Sequence, residues 1–376
     1  MNKAGIYLHI PFCKTKCIYC DFYSVTKRED SISRFIDCLI IEIELNKTKL
    51  SNYTFDTIFF GGGTPSVLSA KQIEKILTAL NKHYSLDQKI EVTLECNPGE
   101  INYEKLKDFK NLGINRLSIG FQSFNENLLK FLGRLHNTDQ SISTFNNARK
   151  AGFDNINIDL IYDIPKQKIK DWKNDLFLST SLEPEHISAY SLTVEQNTVL
   201  NSMVKNKTIS MPSEKIDKKM FLDTIEYLEN KSYNHYEISN FCKKKKECKH
   251  NLHYWRLEPY LAFGPGAHGF DGQKRWWNKK SLDYYLNQIE KNRLPIESEE
   301  ILSEKDSFNE TIMNGLRLME GANIDKLDGY LNMDIKTHLQ PYIKKWPYIN
   351  NDGKNLTLKK EGLLFTDEII ADLFLI

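Results

Sequence analysis

The chain has 376 residues, 40% of them hydrophobic and 27% charged, a globular composition with room for one large domain and a smaller one, or two to three modest ones. Its 51 Lys and Arg balance 50 Asp and Glu to a net charge of +1, which excludes a global field directed at nucleic acid or an anionic membrane. No apolar run reaches the roughly 18 residues of a membrane span, and the opening MNKAGIYLHIPF enters a strand-like pattern with no signal-peptide core, so a cytoplasmic protein without an integral membrane segment is expected.

In the first half, short apolar β-rich runs alternate with amphipathic helical stretches. In chain order the pattern predicts strand 5–10, helix 32–50, strand 56–61, helix 70–84, strand 90–96 and helix 103–112. It continues with strand 116–120, helix 141–151, strand 155–161, helix 168–181 and strand 186–192. Such alternation builds parallel βαβ units, and six of them by about residue 195 fit an α/β fold with a partial, TIM-like (β/α)6 barrel. Chemistry in barrels gathers at the C-terminal ends of strands. The notable motifs fall there: a cysteine cluster after strand one, Gly61-Gly62-Gly63-Thr64-Pro65 after strand two, and Glu95 at the end of strand three.

After residue 195 the rhythm breaks. A helix over 213–230 leads to a lysine run at 243–246, then to a segment rich in aromatics and glycines at 250–277. A helix over 304–320 follows, and 355–365 with 367–374 reads as a hairpin and helix, as in a small winged α+β module. The expected division is a barrel over 1–200, a connecting region over 201–295 and a C-terminal domain over 296–376.

Seven cysteines, an odd number, argue against a disulfide framework and for metal or thiol chemistry. Three of them form Cys13-x3-Cys17-x2-Cys20 in the loop after strand one. Three thiolates bind three irons of a [4Fe–4S] cubane and leave the fourth iron open, much as a catalytic zinc keeps a free position. A zinc knuckle short of one ligand is the plainer alternative. Cys38 reads as a small buried hydrophobe on its helix, and Cys96 as pointing away from Glu95 across its strand.

The C-x3-C-x2-C spacing with Tyr19 before the last cysteine resembles the signature of the radical S-adenosylmethionine (SAM) superfamily. His9-Ile-Pro-Phe-Cys13 and Cys20-Asp-Phe-Tyr resemble the branch around oxygen-independent coproporphyrinogen III oxidase. Within that branch the resemblance is to HemW-type heme chaperones, over essentially the whole chain, with a HemN-type C-terminal domain. It implies a [4Fe–4S] cluster held by Cys13, Cys17 and Cys20. It also implies SAM contacts from Tyr7, Tyr19, Gly62, Gly63, Thr64, Glu95, Gln122, Arg134 and Asp159. Read alone, the glycine run is either a close-approach loop or a tight turn. Each polar residue alone reads as a structural hydrogen bond, although a carboxylate at the end of an apolar strand is costly to bury without a partner.

Two departures separate the chain from the oxidase. Phe22 stands where the oxidase has a fourth cysteine, and strand one begins at about residue 5, where the oxidase carries a long preceding segment. Both weigh against decarboxylation and leave SAM binding untouched.

A second constellation is Cys242-x5-Cys248-Lys-His250-Asn-Leu-His253-Tyr254-Trp255. Imidazole and thiolate both suit heme iron, flanking aromatics pack on a macrocycle, and the lysines at 243–246 are either propionate partners or a solvated loop. The segment from His250 matches the branch's H-N-x-x-Y-W motif, which implies His250 as an axial heme ligand. A zinc site of Cys242, Cys248, His250 and His253, and a packed structural His250, stand beside that reading. His268, in a glycine-rich segment, is a weaker heme candidate and reads more readily as a structural residue.

The expected function is a radical SAM protein that binds heme and passes it to apo-hemoproteins such as respiratory enzymes. Its cofactors are a [4Fe–4S] cluster, SAM and heme, with no nucleic-acid partner; a homodimer is compatible with the sequence. The alternatives are oxygen-independent coproporphyrinogen III oxidase and another radical SAM enzyme that modifies a tetrapyrrole.

Overall fold

The computed structural model describes residues 2–330 and 334–375. Six strands, β1 (Lys3–Ile10), β2 (Thr54–Gly62), β3 (Leu86–Cys96), β4 (Arg116–Gln122), β5 (Ile156–Tyr162) and β6 (His186–Ser191), pair in consecutive order, all parallel. Helices Ile32–Leu45, Ala70–His83, Tyr103–Asn111, Thr138–Lys150 and Ile169–Ser181 join them, as the alternation predicts. The strands are apolar enough to be covered on both faces, which is the usual state of parallel sheets. Ile6, Leu8, Ile58, Leu94, Leu117, Ile158 and Ile187 join Phe35, Leu39, Ile73, Leu106 and Trp172 of the helices in one core. Period-two alternation turns Tyr7, Glu95, Ser118, Asp159 and Ser188 to the opposite face, where register brings Glu95 beside Ser118 and Asp159 beside Ser188.

The sheet does not stop where the rhythm breaks. Beyond β6 lie β8 (Asn240–Cys242) and β7 (Asn234–Glu237), both antiparallel. On the other side β9 (Tyr260–Phe263) pairs parallel with β1. Then β10 (His268–Phe270), β11 (Lys274–Asn278) and β12 (Ile296–Ile301) follow antiparallel, giving a twelve-stranded sheet among the described residues. β12 therefore belongs to the large sheet, although it starts where the sequence division opens the C-terminal domain.

A second core of Phe308, Ile312, Leu327, Leu339, Leu356 and Leu373 holds the C-terminal region. Helix Glu304–Gly315 is shorter than predicted, because Gly315 abuts Ala322: a Cβ there would lie 2.5 Å from the Ala322 Cα. The small sheet runs β13 (Ala322–Asn323), β15 (Asn355–Leu358), β14 (Ile349–Asn351). Its hairpin turns at Gly353 (φ 87°), so 355–358 is the second arm of the hairpin, and Lys360–Phe365 is a 3-10 turn leading into helix Thr366–Leu373.

Candidate functional site

The cysteine loop leaves β1 and is pinned at both ends. The Cys13 amide donates to the Val25 carbonyl (2.9 Å), the Val25 amide to Pro11 (2.7 Å), and the Leu200 amide to Ile18 (2.9 Å). Cys13, Cys17 and Cys20 are free and partly exposed, whereas Cys38, Cys96, Cys242 and Cys248 are buried. Burial pushes the Cys20 thiol up to about 11, with Cys17 and Cys13 adding repulsion, and Cys13 is raised for the same first reason. Thiolates this close stay ionised only beside positive charge, which suits a metal cluster. Among the described residues, no three His, Cys, Asp or Glu side chains stand at metal-holding separations, this loop included. The donor set fits the implied cluster in its chemistry: three clustered, reachable thiols on a tethered loop.

The glycine loop docks against that loop. Gly62 (φ 107°) lies so close to His9 that a Cβ would come within 2.7 Å of its ring, and a Cβ on Gly63 would strike the Phe12 carbonyl at 2.7 Å. A relay of side chains then crosses four strand ends. The Thr64 hydroxyl donates to the Cys13 sulfur (3.5 Å), and Asn97 Nδ2 donates to Thr64 Oγ1 (3.1 Å). Arg134 Nη2 donates to Asn97 Oδ1 (2.5 Å), while its Nη1 reaches the Cys17 sulfur (3.6 Å). Asn97 has no place in the sequence reading. Its only signal is its position two residues beyond Glu95, in Leu-Glu-Cys-Asn-Pro.

On the inner face, burial pushes the Glu95 carboxyl up to about 8, with Asp159 adding repulsion. Asp159 is also raised by burial, and accepts from Ser118 Oγ (3.0 Å) and Asn157 Nδ2 (2.7 Å). Gln122 holds φ 67° at the end of β4 and its buried Oε1 has no partner. Tyr19 is half-buried beside Arg134 and Cys17. Tyr7 touches His9 Nδ1 through its hydroxyl (3.1 Å). Two neighbouring carboxylates and an orphaned acceptor beside a thiol loop fit a ligand that carries positive charge and hydroxyl donors. SAM has both.

The His250 segment forms helix Lys249–Trp255. His250 is 1% exposed and both ring nitrogens are engaged: Nδ1 with Thr57 Oγ1 and Nε2 with the Tyr254 hydroxyl, each at 2.8 Å. The ring stacks on Phe59 (5.1 Å) above Gly5. It is a strut between this helix and strands β1 and β2, and in this geometry it offers heme iron no lone pair. The four-residue zinc grouping does not form either. Cys248 Sγ lies 3.9 Å from Glu91, and His253 is clamped between Asp56 (2.8 Å) and Glu258 (2.7 Å). Lys243 and Lys246 each donate to a backbone carbonyl, of Glu183 and Asp154, as a surface loop does.

Burial opposes charge on His253, but its two carboxylates outweigh that and raise it to about 9. A raised folded pKa stabilises fully below about pH 6.5, and the contribution fades as pH climbs toward 9. His253→Gln should therefore flatten the fall in unfolding free energy across that window, a contribution of about 2–3 kcal/mol. Parallel pH profiles of the variant and the parent, measured by urea unfolding, would exclude this role.

Between the two flanks of the sheet, β6–β8 on one side and β9–β10 on the other, lies an open cavity of about 670 Å³ bordered by helix Glu304–Gly315.

A parallel sheet bearing a C-x3-C-x2-C loop and an adjoining glycine loop at its strand ends defines a radical SAM protein, and residues 7–178 match the family model described as the radical SAM superfamily. The chain is 38% identical over 325 residues to heme chaperone HemW of Lactococcus lactis, covering 86% of this chain and 83% of the relative. It is 34% identical over 374 residues to heme chaperone HemW of Bacillus subtilis, covering 97% of each. The chain belongs to the HemW family within that superfamily. Membership implies a [4Fe–4S] cluster and SAM. The fold is also that of the coproporphyrinogen III oxidase HemN from Escherichia coli, with a TM-score of 0.84 at 21% identity over 99% of this chain and 90% of that one. No helix among the described residues is long and apolar enough to cross a membrane.

Proposed function

We propose that this protein is a heme chaperone that binds heme and delivers it to apo-hemoproteins such as respiratory enzymes. The observation that carries the reading is the similarity to HemW proteins over 97% of both chains, with Phe22 in place of the oxidase's further cysteine. In this reading Cys13, Cys17 and Cys20 hold the cluster. Thr64, Asn97 and Arg134 fix the spacing of its loop against the other strand ends. Gly62 and Gly63 bring backbone to the SAM site, Glu95 and Asp159 face its positive charge, Gln122 accepts one of its donors, and Tyr7 and Tyr19 close the walls. Bound together, cluster and SAM supply one-electron chemistry at the sulfonium.

Glu95→Ala and Asp159→Ala should each weaken SAM binding about tenfold or more without loss of iron, since a hydrogen bond to a charged group contributes about 1.5–3 kcal/mol. Unchanged SAM titrations in both variants would make these carboxylates purely structural. Anaerobic incubation with SAM, reductant and either heme or coproporphyrinogen III tests the chaperone reading against the enzymatic ones. The tetrapyrrole should return unmodified by mass; a decarboxylated or ring-opened product would overturn the reading.

A further inference from the structure

The cavity between the sheet flanks has the size of a small-molecule site, which typically spans about 300–1,000 Å³. Tyr254, Trp255, Tyr260 and Phe270 give it flat apolar walls of the kind that pack on a macrocycle. His268, at the start of β10, lines it and is exposed. Its ring is held by stacking on Trp277, with centroids 5.7 Å apart and planes 17° from parallel.

Of the histidines that line this cavity or stand near it, His250 and His253 commit their ring nitrogens to protein partners. His268 commits neither. His268 is exposed as a residue, but partial desolvation of its ring beside Trp277 lowers its pKa, and Lys280 and Arg275 lower it further, all of which favour the neutral, ligating form. Arg317 also lines the cavity, and its carboxylate partner Asp367 (2.6 Å) has a side chain 82% exposed. So exposed a pair is weak and open to exchange with another carboxylate. Tyr190 lines the same space and lies two residues along β6 from Ser188, the neighbour of Asp159, so a ligand here borders the face of the sheet that carries Asp159.

We infer that this cavity is the heme site, with His268 the axial ligand of the iron and Arg317 the partner of a propionate. The inference rests on the chaperone reading and gives that reading a place in the fold. It moves the ligand role from His250, which the structure uses to hold the wall.

The test is an anaerobic hemin titration of the full-length, cluster-reconstituted protein, read by Soret absorbance and electron paramagnetic resonance. His268→Ala should shift the Soret band and weaken affinity by at least about tenfold, since even groups that merely support a metal ligand typically contribute about 10–100-fold. Added imidazole should restore the parent spectrum, and His268→Met should give a distinct, thioether-ligated one. Arg317→Gln should weaken binding and leave the band position unchanged. Because His268 is exposed, its loss does not threaten the fold. A parent that binds hemin and a His268→Ala variant with the same spectrum and affinity would overturn the ligand assignment alone. A parent that takes up no heme would overturn the chaperone reading, and this inference with it.

Discussion

Cys17→Ala protein, reconstituted anaerobically, is expected to hold less than about one iron per chain, against about four irons and four sulfides for the parent. Cys17 sits at the centre of the loop, felt by Cys13 and Cys20 and approached by Arg134. Without its thiolate, two donors remain for a group that needs three. Cys38→Ala should keep the full complement, because Cys38 is buried on helix Ile32–Leu45, away from the loop's thiols. Iron and sulfide analysis with the visible spectrum decides the matter. A normal cluster in the Cys17 variant would remove the ligand assignment.

The second large effect falls on stability. His250→Ala strips Thr57 Oγ1 and the Tyr254 hydroxyl of a partner and leaves a void beside Phe59. An unsatisfied buried polar group costs about 1–3 kcal/mol, and a core truncation adds a cavity term, so a loss of about 3–5 kcal/mol is expected. Urea unfolding should show it as a clear drop in midpoint. At temperatures where the variant remains folded, its heme spectrum should match the parent's. A midpoint within about 0.5 kcal/mol of the parent, the range of an ordinary surface change, would show that His250 is not the strut.

How much of this could be read from the chain depends on distance along it. The six parallel strands emerge within a few residues of their observed bounds because each is a short β-rich stretch with apolar residues at alternate positions, set between amphipathic helices. β7 to β11 escape because runs of three to five residues carry no periodicity, and β12, Ile-Glu-Ser-Glu-Glu-Ile, has the composition of a loop. The pairing of β9 with β1 joins residues some 255 positions apart and leaves no local mark. The site divides the same way. Cysteines within eight residues and five consecutive loop residues announce themselves, whereas Asn97 is defined only by Thr64 and Arg134 meeting it from either side. A packed structural His250 was legible beside the ligand reading, but its partners were not, since Thr57 lies 193 residues away. The cavity, assembled from segments between residues 190 and 317, has no linear signature at all.

The most direct measurement of the central claim is transfer. Heme-loaded, cluster-reconstituted protein is mixed with an apo-hemoprotein, the two are separated, and the heme on each is quantified by its spectrum and by mass. The account predicts that heme moves to the acceptor faster than free hemin at the same concentration would load it, with its mass unchanged. Heme that stays on the donor, or reaches the acceptor only at the rate of free hemin, would contradict it.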